Sequence, residues 1–391
     1  MTEHSYTEVS SQSWLSRLAG AFVGLIFGLV LFFVAFPLLF WNEGRAVDRF
    51  NALEEGSGAV ISVTSEQVNA ANDKKLVHLS GFADTNETLV DKEFGVSENA
   101  LKLRREVQLY QWQENKSTEK KKKLGGGEKT VTTYSYEKVW SDALIDSSMF
   151  HKSGYDNPRN IAFRKQTSTA QNVSLDAFAL SPELVRKVRN YQSITIEPNS
   201  NTKLPDNTKA HAGGYYIGTD PTQPEVGDLK VSFSKVAPQE VSVVAQQSGT
   251  SFETYTTSND GSILLLETGK VDAQAMFQTA ITENTILTWA LRGAGLFCMF
   301  TGLCLFFRPI SVFADVVPIF GDIAGAGIGL VSFMLAVTLS AITIAVAWVL
   351  FRPVIGIALL VFAVAAIWLV RKRLKAARTR KIDTVATPAA A

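Results

Sequence analysis

Cysteine is nearly missing from this chain. There are two in 391 residues, Cys298 and Cys304, both inside one apolar run and six positions apart, where they share no helix face. The long polar middle therefore has no disulfide framework and folds on its core alone, whichever compartment it faces. The two thiols read as small apolar packers rather than a redox pair. Histidine is scarce too: His4, His78, His151 and His211 are scattered, with no metal-ligand spacing. No Gly-x-Ser-x-Gly elbow occurs in the polar middle. Lysines 120–123 beside Gly125-Gly126-Gly127 do not make the Gly-x4-Gly-Lys-Ser/Thr pattern that cradles phosphate. Excess charge of one sign is also absent. Lys plus Arg number 38 against 37 Asp plus Glu, a net charge of +1, which argues against a nucleic-acid binder. No period of 20 to 50 residues marks a repeat array.

Charge is absent altogether from residues 18–41, between Arg17 and Glu43. As a helix this run is about 36 Å long, slightly more than the roughly 30 Å hydrocarbon core, and spans with some tilt. Pro37 near its far end is a tolerated kink, and Trp41 sits where an interfacial aromatic belongs. The run is too long for a signal-peptide core and no Ala-x-Ala site follows, so a retained anchor is expected. Three more apolar segments follow at residues 286–307, 323–351 and 354–370. Arg292 interrupts the first of them, and Arg352-Pro353 is the whole connection between the last two. The overall hydrophobic content of 46% and mean hydropathy of +0.10 conceal this split between apolar ends and polar middle.

The middle reads as β-rich. Residues 58–63 and 76–81 are short β-type runs, and residues 101–112 alternate at period two, as a half-buried strand does. Residues 130–140 form its partner, with 117–128 as a polar, flexible hairpin tip. Ser181 followed by Pro182 opens a short helix to about residue 188. Strands are expected at 191–197, 215–218, 228–234, 240–246, 252–256 and 262–267, with loops at 199–207 and 221–227. A helix over 272–285 leads back to the membrane. The expected architecture is a membrane protein with four transmembrane α-helices and a large β-rich (α+β) non-cytosolic domain between helices 1 and 2. Residues 1–17 are a cytosolic tail, disordered through residue 13, and 42–285 the lumenal or periplasmic domain, with a possible short helix over 48–55. Residues 308–322 are a cytosolic interfacial loop or helix, and 371–391 a basic cytosolic tail.

Orientation follows from residues 371–381, seven of which are basic. The positive-inside rule holds them in the cytoplasm, and four spans place the N-terminus there too. Arg371, Lys372, Arg373 and Lys375 are candidates for anionic lipid headgroups, as well as topology determinants. Glu43, Arg45, Arg292 and Arg352 then share the other interface. An unpaired Arg292 about one turn inside its span is costly, so Glu43 or Asn42 is its expected partner in an interfacial charge clamp. The alternative is that Arg292 snorkels to headgroups. Gly325 and Gly329, with Thr338, Ser340 and Thr343, mark a candidate helix-packing surface, for bundle closure or self-association.

Several motifs in register resemble a known family. Asn42-Glu43-Gly44-Arg45-Ala46 is similar to the start of the lumenal domain in the transmembrane protein 43 (LUMA) family. The resemblance continues through Leu101-Lys102-Leu103-Arg104-Arg105 into Tyr110-Gln111-Trp112, through Pro224-Glu225-Val226-Gly227-Asp228-Leu229 with Val231-Ser232-Phe233, and through Thr288-Trp289, Leu291-Arg292 and Arg352-Pro353. Order and spacing agree from about residue 24 to 370. The N-terminal tail, the lysine/glycine tip and the Ala-rich C-terminus depart from the family, and a bacterial member is one reading. The resemblance implies four spans and a large non-cytosolic domain. In animals it also implies the endoplasmic reticulum and inner nuclear membrane, oligomerisation, and lamin- or emerin-like partners. It supplies no catalytic residues.

The leading expectation is a non-enzymatic membrane scaffold, with no cofactor, whose partners are the bilayer, further copies of itself and other membrane proteins. A lipid-handling or transporter-like protein is the first alternative, although Arg292 alone is ionisable within a span. An enzyme in the large domain is the second. The sequons at Asn86, Asn115 and Asn172 matter only in a eukaryotic lumen.

Overall fold

The computed structural model describes residues 5–196, 204–354, 356–358, 361, 365, 368, 371 and 372. The chain divides into two units. One comprises residues 1–13, 51–123 and 127–282; the other comprises 14–50, 124–126 and 283–391.

The first unit is β-rich. Its larger sheet has eight strands, ordered Ser5–Gln12, Glu128–Ser141, Lys102–Lys122, Leu229–Val236, Gly214–Ile217 and Thr208–His211. Gln192–Ile194 also pairs with Leu229–Val236, and Gln166–Thr169 with Lys102–Lys122. The second sheet is centred on Leu76–Asp84 against Gln239–Ser248. Both sheets feed one core: Leu103, Val107, Leu109, Val231 and Phe233 from the first, Val77, Leu79, Val241 and Val243 from the second. The period-two alternation of residues 101–112 is real, and its buried face carries two polar members. Arg105 is buried with two Nη1 bonds, 2.9 and 3.0 Å, to the Asp91 carboxylate. Gln111 donates to the Ala143 carbonyl at 2.6 Å and accepts from the Ile145 N–H at 3.0 Å. Each is satisfied, as a buried polar group must be. A smaller core forms where Leu53 meets Met276, Phe277, Leu76 and Ile263.

The long hairpin Lys102–Lys122/Glu128–Ser141 runs in register from Leu109 opposite Ser141 to Lys122 opposite Glu128. Residues 5–12 correct the expectation of a disordered tail. They form a strand antiparallel to the hairpin, from Ser5 opposite Ser135 to Gln12 opposite Glu128. Thr7 bonds Thr133, and the Tyr6 and Tyr134 rings stack 6.2 Å apart. The strand is polar on both faces, so no alternation betrayed it, although Tyr, Thr and Val are strand formers.

The second unit is helical. Helix α1, Trp14–Ala59, runs unbroken through Asn42-Glu43-Gly44-Arg45 and accommodates Pro37. It absorbs the separate helix expected at 48–55 and most of the strand expected at 58–63, of which only Ile61–Ser62 remains. Helix α2, Pro182–Lys187, belongs to the β-rich unit. Helix α3, Ala273–Ala314, fuses the expected 272–285 helix, the span and half of the 308–322 loop, with Pro309 inside it. Helix α4, Pro318–Phe351, starts on its proline, which leaves residues 315–317 as the turn between α3 and α4. Among the described residues three helices, α1, α3 and α4, are long and apolar enough to cross a membrane. The fourth expected span, 354–370, lies largely outside the described residues. In the helical unit Ala35, Leu39, Met299, Leu303 and Ala336 form the core.

Candidate functional site: a buried polar layer in the helical unit

Sequence places an acid, two amides and two arginines at the ends of apolar helical runs. In the helical unit they meet. Asn42 and Glu43 of α1 are both 0% exposed. Glu43 Oε1 accepts from Arg292 Nε at 2.6 Å, and Oε2 from Arg292 Nη2 at 2.8 Å. This is the bidentate carboxylate–guanidinium geometry, the strongest of the charge-assisted pairings. Trp348 Nε1 of α4 also donates to Oε2, at 2.7 Å. One carboxylate thus ties α1, α3 and α4. The Arg292 guanidinium lies 4.7 Å from the Trp289 ring centroid and 5.7 Å from that of Trp348, so aromatic faces cover the charge. Arg352 sits 5.9 Å from the same Trp348 ring.

Arg45 does not join the acid. Its Nη1 donates to Asn284 Oδ1 at 2.9 Å, and its Nη2 to Thr288 Oγ1 at 3.0 Å and Asn42 Oδ1 at 3.3 Å. Asn42 Nδ2 donates to the Thr288 carbonyl at 3.1 Å, and Asn284 Nδ2 to the Ala46 carbonyl at 2.9 Å. These positions are three and four apart on each helix, so they share one face. Asn284 and Trp348 are not among the sequence-based candidates, and Thr288 is there only as part of a family motif. Asn284 and Thr288 could have been found, because they recur at helical spacing just before Arg292. Trp348 could not, because a tryptophan near a span end has an interfacial reading of its own.

A second buried pair lies at the start of α1, where Arg17 meets Asp315 of the α3–α4 turn. Trp14 Nε1 donates to the Val312 carbonyl at 2.8 Å. The hairpin tip, expected to be a free solvated end, takes part. Gly125 N–H donates to the Val316 carbonyl at 3.1 Å, Arg17 donates to the Gly126 carbonyl, and Gly126, at φ +78°, packs on the Trp14 ring.

The candidate packing residues separate. Ser340 and Thr343 are buried, with Ser340 Oγ 3.5 Å from Met299 Sδ. Thr338 is exposed and donates to the Met334 carbonyl of its own helix. Among the described residues, a Cβ added at Gly325 or Gly329 would meet nothing within 4 Å. The close approach is at Gly28 and Gly302, where an added Cβ on either would stand 2.6–2.7 Å from the other's carbonyl oxygen. Arg371 and Lys372 are helical, with Lys372 Nζ 5.1 Å from the Trp368 ring. Arg373 and Lys375 lie outside the described residues. Among the described residues no three His, Cys, Asp or Glu side chains gather as a metal site.

The sequence is similar to known proteins over most of its length. The family model described as Transmembrane protein 43 matches residues 109–353. Transmembrane protein 43 of Homo sapiens is 34% identical over 390 residues, covering 96% of each chain. The Pongo abelii protein of that name is 34% identical over 392 residues, again 96% of each. The Drosophila melanogaster homolog is 32% identical over 361 residues, covering 88% of this chain and 94% of its own. No solved structure matches.

Proposed function

Because this chain belongs to the transmembrane protein 43 family, we propose that it is a multi-pass membrane scaffold that organises bilayer and partner proteins through its β-rich unit. The observation that carries this reading is the Glu43 node. Three apolar helices are fixed to one another by a buried ion pair and an indole, an arrangement suited to a rigid anchor. A transport route would need ionisable or solvated groups along the spans. The compartment we propose is the endoplasmic reticulum or inner nuclear membrane in a eukaryotic host, and self-association accompanies it. Crosslinking in native membranes followed by partner identification tests the role. Recovery of neither a second copy nor any membrane protein would refute it.

The proposed sidedness puts the β-rich unit opposite the basic C-terminus, with the N-terminal tail in the cytoplasm. A second sidedness is favoured by the pairing of Ser5–Gln12 with Glu128–Ser141. A bilayer cannot divide a hydrogen-bonded strand pair, since backbone groups in lipid must be satisfied without crossing it as open polar strands. Residues 5–12 therefore share a compartment with residues 128–135 wherever that pairing forms. Both arrangements cannot hold in one molecule. Membrane-impermeant thiol labelling of V9C and V131C in sealed vesicles separates them. Labelling of the two positions from opposite sides supports the four-span orientation, and labelling from one side supports the paired strand.

A further inference from the structure

Strand Ile61–Ser62 lies parallel to Leu76–Asp84, which sets Ser62 directly opposite His78. His78 Nε2 is 2.9 Å from the Val271 carbonyl. A carbonyl only accepts, so that nitrogen carries the proton and Nδ1 keeps its lone pair. The Ser62 hydroxyl, 3.3 Å from Nδ1, is then the donor. The ring is buried and the serine exposed. A hydroxyl, a base and a group that orients the base thus stand in line, the arrangement that activates a serine. Resting distances in such sites are commonly long.

Ser62 opens on a cleft of about 560 Å³ whose walls include Thr64, Gln67, Asn69, Asn72 and Gln247, with no charged side chain. Asn69 Oδ1 is held by the Ala71 N–H at 2.9 Å, which leaves its Nδ2 as the donor for an incoming oxygen. We propose that Ser62 and His78 form an acyl-transfer site for a neutral ester. Ser62 Oγ attacks the ester carbonyl carbon as its proton passes to His78 Nδ1, and the Val271 carbonyl steadies the imidazolium through Nε2–H. The bond to the alcohol oxygen breaks, and the leaving alcohol takes the proton from Nδ1. Water, deprotonated by the same nitrogen, then releases the acid from Ser62. The uncharged walls select against phosphate and carboxylate substrates. The site lies wholly within the β-rich unit and stands or falls independently of the scaffold reading.

The test uses the full chain in detergent with a fluorophosphonate probe, the labelled residue mapped by peptide mass spectrometry and p-nitrophenyl acetate turnover followed in parallel. Label is expected on Ser62, lost with turnover in S62A, and slowed about a hundredfold or more in H78Q. Absence of label on Ser62, label that persists in S62A, or an unchanged rate in a folded H78Q overturns the proposal. If H78Q does not fold, the native chain decides alone. Ser62 must then label in preference to the exposed Ser117, and equal labelling of the two overturns it.

Discussion

Glu43 accepts three hydrogen bonds from two other helices. Removing one partner of a buried ion pair leaves the other uncompensated, at about 3–5 kcal/mol, whereas removing both costs much less. E43L and R292L are each expected to lower the thermal midpoint of the detergent-solubilised protein sharply, and the double variant to recover most of the loss. Additive losses in that cycle would show that the two residues do not act as a pair. Outside the membrane, burial raises the Glu114 carboxyl, but hydrogen bonds from the Tyr136 hydroxyl and from the N–H and ring of His151 together bring it below the usual carboxylate range. A depressed folded-state value contributes stability above the unfolded value, about 4.3, and loses it as pH falls through the folded one. The hairpin should therefore become protease-sensitive on acidification below about pH 4, and E114Q should flatten that dependence. An unchanged profile in E114Q would exclude Glu114 as the cause.

Elements were legible where a periodicity existed. The alternation at 101–112 and the uncharged run at 18–41 each announced their structure, because burial on one face or on all faces leaves a pattern. The helix starting at Pro182 followed from its proline. Boundaries differ from the sequence pattern where polar residues lie inside a helix. Asn42-Glu43-Gly44-Arg45 continues α1 because α3 and α4 satisfy its side chains, a tertiary fact that no local window contains. The strand Ser5–Gln12 was illegible because it is an edge, solvated on both faces. The Glu43–Arg292 juxtaposition could be argued from the cost of a lone arginine, but Trp348 could not. Among the described residues no second backbone arrives at Gly325 or Gly329, and small residues mark close approach only where one does. That happens at Gly28 and Gly302. G302V should therefore open the α1–α3 crossing and lower the thermal midpoint clearly more than G325V. Equal effects would remove the crossing. If the paired strand forms in the membrane-inserted protein, V9C with V131C, opposite each other in register, should form a disulfide on mild oxidation, and under the four-span orientation it should not. A mispaired combination such as V9C with T133C should not.

For the whole molecule the proposed sidedness sets which part a protease reaches from each face of the membrane. The arginine-rich terminus predicts that externally added protease reaches residues 371–391 from the cytosolic face only, and spares the β-rich unit from that face. Digestion of the β-rich unit by cytosolic protease in intact microsomes or spheroplasts would reverse the assignment. The ion pair also has a temporal side. Glu43 and Arg292 are separated by 249 positions. At about 5–20 residues per second of synthesis, the acid emerges roughly 12 to 50 s before its counter-ion exists. For that interval the nascent first span carries an anion at its end with no counter-ion, so a chain truncated before residue 292 should hold that span less firmly than the full chain does.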